Sequence, residues 1–241
     1  MISIRPELFA QVPLVPEFSI VDLFDVRLEV DERDVVVHEV AGLMRTYFPS
    51  YDHVVEDFRR QLVSGEPPED EVVHTWLVMR NGQACGVWVM NINAVTGVIM
   101  MLFGAIHRQA RIDLPREYLP RLVGFMHELC IAEATAEGFS IVGVILESAE
   151  HHLARWQSCG FFVADPEYRE PKHGIHWPNF GSPDFYEDYA ACVLPIGTGN
   201  QMSKAELGIL CLETLMIEHY GLPREHEVVI SSLARAFTVV D

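Results

Sequence analysis

Between Ile106 and Arg121 an acidic chain concentrates positive charge, with His107 followed by Arg108, Arg111, Arg116 and Arg121. Guanidinium groups grip phosphate or carboxylate oxygens bidentately, so the chemistry offered by this spacing is anion binding. A local alternative stays open, in which Arg111 and Arg116 pair with Asp113 and Glu117 on a solvated helix start. Proton transfer is the second chemistry. His107 closes one apolar run and Glu147 follows another, Ile141 to Leu146, which sets an imidazole and a carboxyl at two strand ends, while Tyr168 adds a phenol. A surface histidine and a helix-start acid are the plainer readings of His107 and Glu147. Cys159, beside Trp156, has no neighbouring charge to activate a thiol and reads as a small buried residue. His173-x-x-His176 with His151 and His152 lacks a clear third ligand, so no metal is expected.

The elements that position these groups follow from periodicity. Leu119, Leu122, Val123, Met126, Cys130 and Ala134 recur at helical spacing, and Gly138 stands where a helix ends. Ile141 to Leu146 is a continuous β-branched run, the pattern of a strand covered on both faces. Ser148 is placed to cap a short helix with Ala149, His152, Leu153 and Trp156 inward, ended by Gly160.

Upstream, Met1 to Phe24 carries Pro6, Pro13 and Pro16 and reads as an irregular lead-in, with a first strand at Val26 to Val30. Val36, Val40, Leu43, Met44 and Tyr47 share a helix face, capped by Asp31 or Asp34 and stopped by Pro49. A second helix from Asp52 turns Val55, Phe58 and Leu62 inward and ends at Gly65 to Pro68. Val72 to Arg80 and Gln83 to Asn91 flank Asn81-Gly82, a type I′ hairpin turn, and a third strand runs from Val98 to Ile106 after Thr96-Gly97. Tyr189 to Leu194 is a closing strand. Ser203 and Glu206 form a capping box for a helix to about Tyr220, ended by Gly221, and Val229, Leu233 and Phe237 mark a final helix.

Helix, central strand, short helix and terminal Gly-Phe resemble the second half of the GNAT superfamily, the Gcn5-related N-acyltransferases. Trp156-x-x-x-Gly160-Phe161 is similar to that family's Tyr-x-x-x-Gly-Phe ending. The resemblance implies an α/β fold with a mostly antiparallel mixed central sheet flanked by helices. Its acyltransferase domain would span residues 26–198, after a lead-in of residues 1–25 and before a helical extension of residues 199–241 that lies outside an ordinary domain of the family and offers either a surface for a peptide acceptor or an arm for a homodimer. It also implies acyl-CoA or acetyl-CoA as donor, or an acyl carrier protein's phosphopantetheine.

In the family a glycine-rich turn at the long helix binds the pyrophosphate through backbone amides. Here no glycine falls between Gly104 and Gly124, and Pro115 and Pro120 remove donors. Arg108, Arg111, Arg116 and Arg121 would replace the turn as a phosphate clamp. His107 or Glu147 would be the base, backbone N–H groups near Ile106 the oxyanion site, and Trp156 would occupy the place of the usual tyrosine acid. Tyr168 is then an alternative acid, unless the thiolate leaves unassisted. Met100 to Phe103 would border an acyl tunnel or simply fill the core.

A formal charge of −18, from 17 Lys+Arg against 35 Asp+Glu, repels nucleic acid and anionic membranes and either favours a cationic partner or serves solubility alone. The five cysteines are scattered without a C-x-x-C pair and are expected as reduced thiols, and no apolar run suits a membrane span or signal peptide, so a cytoplasmic location is expected. The function so reached is transfer of an acyl group to a primary amine of a small molecule or peptide. The alternative is a binding or assembly protein of the same shape without activity.

Overall fold

The computed structural model describes residues 18–24, 29–51, 54–56, 58, 60, 71–112, 114, 118–171 and 186–239. Two units divide the chain, Met1–Ile92 with Met101–Glu137 and Asn93–Met100 with Gly138–Asp241. Among the described residues the architecture is mixed α/β with seven strands, and β4 belongs to both units.

In the first unit the strand order is β1 (Phe18–Asp22), β2 (Glu71–Arg80), β3 (Gln83–Asn93) and β4 (Val98–Ile106). Asn81 and Gly82 take φ of 50° and 77°, the left-handed pair that the hairpin turn requires. The first strand lies at Phe18–Asp22, inside the stretch expected to be irregular, and Val30 opens helix α1 (Val30–Tyr47) instead of closing a strand. Residues 25–28, the rest of the expected strand, lie outside the described residues. Asp22 hides β1 from pattern reading, because it is buried and polar where alternation calls for an apolar side chain.

Neither Asp31 nor Asp34 caps α1. Glu29 and Glu32 form the box there, the Glu29 N–H donating to Glu32 Oε2 at 3.1 Å. Val36, Val40 and Met44 then bury against Val55 and Phe58 of the next helical stretch, of which residues 54–56, 58 and 60 are described. Asp52, Leu62 and Gly65 to Pro68 lie outside the described residues. Helix α2 (Tyr118–Glu137) buries the predicted Leu122, Val123, Met126, Cys130 and Ala134, together with the polar His127 and Glu133. Met100 and Met101 are core residues; Phe103 packs edge-on against Phe48 and Tyr51 at centroid distances of 5.1 and 5.0 Å.

The second unit orders β4, β5 (Gly143–Ser148), β7 (Tyr186–Pro195) and β6 (Phe162–Pro171), with β5–β7 and β6–β7 antiparallel. Where the sequence shows only a polar passage after Phe162, the chain forms β6. Register shifts at Val163/Asp165 and Asp165/Tyr168 break its alternation and accommodate Pro166. Ser148 is not a cap. It ends β5, buried, and its hydroxyl donates to Ala149 O at 3.1 Å, while the turn Glu150–His152 leads into helix α3 (Leu153–Ser158) with His152 exposed.

Helix α4 (Lys204–Glu213) opens on the expected Ser203–Glu206 box and widens into a π turn at Thr214–His219 before Gly221 takes φ of 70°. On helix α5 (Glu227–Phe237), Val228, Val229, Ser232 and Ala236 are buried, whereas Phe237, placed inward by its spacing, is 74% exposed. Gly199 is fixed by contact, since a Cβ there would stand 1.7 Å from Val142 O. All five cysteines are free thiols, with Cys159 half-buried rather than buried. No helix among the described residues is long and apolar enough to cross a membrane.

Candidate active site

Glu147 sits near the end of β5, opposite Ala191 on β7. Pairing alternates side chains between faces, so Glu147 shares a sheet face with Ala191 and Tyr189 of β7, and with Tyr168 of β6, which lies opposite Tyr189. Onto this carboxyl comes Tyr220, whose hydroxyl donates to Glu147 Oε2 at 2.9 Å from a position 73 residues later. Glu147 Oε1 and the Tyr168 hydroxyl are buried without a well-aligned hydrogen bond among the described residues. Tyr168 is nevertheless close enough to favour the charged carboxylate.

Burial dominates the electrostatics and raises the Glu147 pKa to about 7, against the opposing pull of Tyr168, Tyr220 and His219. A carboxyl at that value gives and takes protons near neutrality. The two phenols move the other way. Burial, then the neighbouring Glu147 charge, push Tyr168 and Tyr220 well above the ordinary tyrosine range, so both remain proton donors in hydrogen bonds rather than acids.

Of the residues singled out in the sequence, the structure brings Glu147 and Tyr168 together. Tyr220 and Glu170, whose charge acts on both buried phenols, carry no sequence signal of a site. Only the helical register of the tail hints at Tyr220. Trp156 is half-buried and meets Phe161 edge-on at 5.6 Å.

The arginine stretch belongs to the first unit. Ile106 is buried at the end of β4, and the next amide, His107 N–H, is committed to Cys85 O at 2.6 Å, which removes one expected oxyanion donor. His107 is exposed and its Nδ1 accepts from Gln109 N–H at 3.2 Å. Arg108 and Arg121 are exposed, while Arg111 is half-buried with Nε lacking a hydrogen-bond partner among the described residues. That orphaned donor fits an anionic ligand. Arg116, Asp113 and Glu117 lie outside the described residues, as do His173 and His176. Among the described residues no group of His, Cys, Asp and Glu has the arrangement of a metal site.

A second acid–base cluster is closed within the first unit. His74 is fully buried, its Nδ1 2.8 Å from Asp22 Oδ2 and its Nε2 2.8 Å from Glu133 Oε2. Asp22 also accepts from Trp76 Nε1 at 3.0 Å and from Phe24 N–H at 3.0 Å. Burial alone would lower the imidazole pKa, but Glu133 and Asp22 outweigh it and raise the value to about 10. His127, buried on α2, is instead pushed down to about 4 by desolvation.

No protein-family model and no curated protein sequence matches the chain. Among solved structures it is similar to an acetyltransferase from Salmonella typhimurium that modifies the N-terminal serine of ribosomal protein L7/L12, at 7% identity and TM-score 0.48 over 77% of this chain and 99% of that one. It is similar also to mutant forms of the spermidine/spermine N-acetyltransferase SpeG from Vibrio cholerae, at 12% identity and TM-score 0.48 over 78% of this chain and 98% of that one. A GNAT family acetyltransferase from Elizabethkingia anophelis with acetyl-CoA bound gives 12% identity and TM-score 0.44, covering 76% and 100% of the two chains. The likeness is one of fold.

Proposed function

We propose that the chain is a GNAT-type N-acyltransferase that moves an acyl group from a pantetheine thioester to a primary amine, with Glu147 as general base. The observation carrying this reading is a buried carboxyl at a strand end, flanked by the Tyr220 and Tyr168 hydroxyls and poised near neutrality. Glu147 takes a proton from the substrate ammonium through Oε1, the freed amine attacks the thioester carbonyl, and the tetrahedral adduct expels the thiolate while the nitrogen's extra proton passes to that sulfur, leaving a neutral amide and thiol. A thiol of pKa ~8.5 leaves without a strong acid. Tyr168, its proton firmly held, hydrogen-bonds in the site and does not ionise.

Arg108, Arg111 and Arg121, with Arg116, are proposed separately as the holders of the donor's phosphates, supported by an Arg111 Nε without a hydrogen-bond partner among the described residues. The acceptor we infer is cationic, in keeping with a net charge of −18. Coenzyme A or a carrier protein would bear the pantetheine, the setting would be cytoplasmic, and the C-terminal helices would offer a homodimer surface.

The test is thiol release from acetyl- and longer acyl-CoA with polyamines, amino sugars and lysine- or ornithine-containing peptides as acceptors. Turnover that rises as pH passes upward through about 7 and is lost in Glu147→Gln is expected. No turnover and no thermal stabilisation by any thioester would leave the inactive binding or assembly protein.

A further inference from the structure

The helical tail lies beyond the expected acyltransferase domain, yet it delivers a side chain to Glu147. We infer that Tyr220, presented by the π turn at Thr214–His219, is a positioning residue for Glu147, so that the C-terminal segment is a working part of the site. This deepens the reading of Glu147 as base and rests on it.

Two independent features carry the inference. The first is the contact itself, Tyr220 Oη to Glu147 Oε2 at 2.9 Å, which fixes one carboxylate oxygen and leaves Oε1, beside the Tyr168 hydroxyl, to meet a substrate N–H. The second is how the helix reaches it. Leu207, Cys211 and Leu215 are buried at four-residue steps, and continuing at that step would turn Glu218 or His219 inward. The helix instead widens, Tyr220 N–H donating to Leu215 O at 3.0 Å, five residues back. Tyr220 thereby takes the buried place at 6% exposure while Glu218 stays in solvent. A π turn is a rare and less stable local form that recurs at functional sites. Here it aims one hydroxyl.

Leu222 N–H donates to Met216 O at 2.9 Å and locks the end of the turn. The groups around the carboxyl are Tyr168 and Glu170 of β6, Tyr189 of β7, and His219 and Tyr220 of the turn. A hydrogen bond from Tyr220 favours the charged carboxylate. Its removal therefore makes Glu147 hold its proton to higher pH.

The full chain, with ¹³C-labelled glutamate carboxyls, should be titrated by NMR as wild type, Tyr220→Phe and Glu147→Gln, the last to assign the signal. Tyr220→Phe is expected to fold normally by circular dichroism and to raise the Glu147 midpoint by about one pH unit, a tenfold gain in proton affinity. The rising limb of the pH–rate profile should move by the same amount. A wild-type Glu147 that titrates with ordinary carboxyls would overturn its assignment as base. A raised wild-type midpoint left unmoved by Tyr220→Phe would overturn only the role of Tyr220. Tyr189→Phe serves as the control, because that hydroxyl is directed to Glu187 at 3.2 Å.

Discussion

The two acid–base clusters use similar residue types to opposite ends. Around His74, two carboxylates close on both ring nitrogens inside the first unit, and the group keeps its charge although nothing of it reaches solvent. Around Glu147 the charge is opposed by burial, no cation among the described residues but the neighbouring His219 helps it, and the proton is loosely owned near neutrality. Charge matched by opposite charge fixes a fold; charge opposed by burial is available for chemistry. Breaking one cluster should therefore cost stability, and breaking the other should cost turnover.

The largest effect expected is that of His74→Ala, which leaves Asp22 and Glu133 facing each other without a cation. Loss of about 3–5 kcal/mol in urea unfolding at pH 7 is expected, as for other broken buried pairs. The His74 pKa is raised from 6.5 to about 10, so its stabilisation is complete below 6.5 and is lost as pH rises through about 10. Wild-type unfolding measured from pH 6 to 10 should show that decline.

Glu147→Gln should lower turnover by about 10²–10⁴ while keeping the fold. Its stability should show the converse of a structural charge. The folded Glu147 holds its proton up to about 7, so wild type loses stability as pH rises from the ordinary carboxyl range through 7. The Gln variant escapes that loss and should melt higher than wild type above pH 7. Equal melting at pH 8 would remove the distinction between the clusters.

Arg235→Ala sharpens the comparison within the second unit. Arg235 grips the fully buried Asp165 through Nε and, at 2.8 Å, through Nη2, while Ser232 Oγ donates to the same carboxylate at 2.6 Å. This pair is satisfied, so its loss should cost about 1–3 kcal/mol in thermal unfolding and leave the pH–rate profile unchanged. Tyr168→Phe should move the Glu147 midpoint upward at least as far as Tyr220→Phe does, read in the same NMR titration, because the Tyr168 phenol supports the charged carboxylate at least as strongly.

What the sequence discloses and what it hides divide along polar burial. The Asn81-Gly82 hairpin, the strand ending at Ile106, the α2 stripe and the Ser203–Glu206 box are legible because local chemistry alone specifies them. Strands β1 and β6 escape notice because Asp22 and Asp165 occupy buried positions that pattern reading reserves for apolar residues. At the candidate site, Glu147 and Tyr168 are nameable from their places in the chain, but their meeting is not. Tyr220 stays invisible because its role depends on a change of helical register 73 residues after its partner. Likewise His74 and Glu133 look like surface residues until the far end of α2 is folded back on β2.

Among the described residues, strand β6 stands last in its order, bonded on one side to β7. A free strand border is a template on which another chain can add itself. Pro166 lacks a donor, two slips of register bend the backbone, and Glu167 is 79% exposed beside Arg169. The features that conceal this strand from periodicity thus also make its rim a poor seed for aggregation.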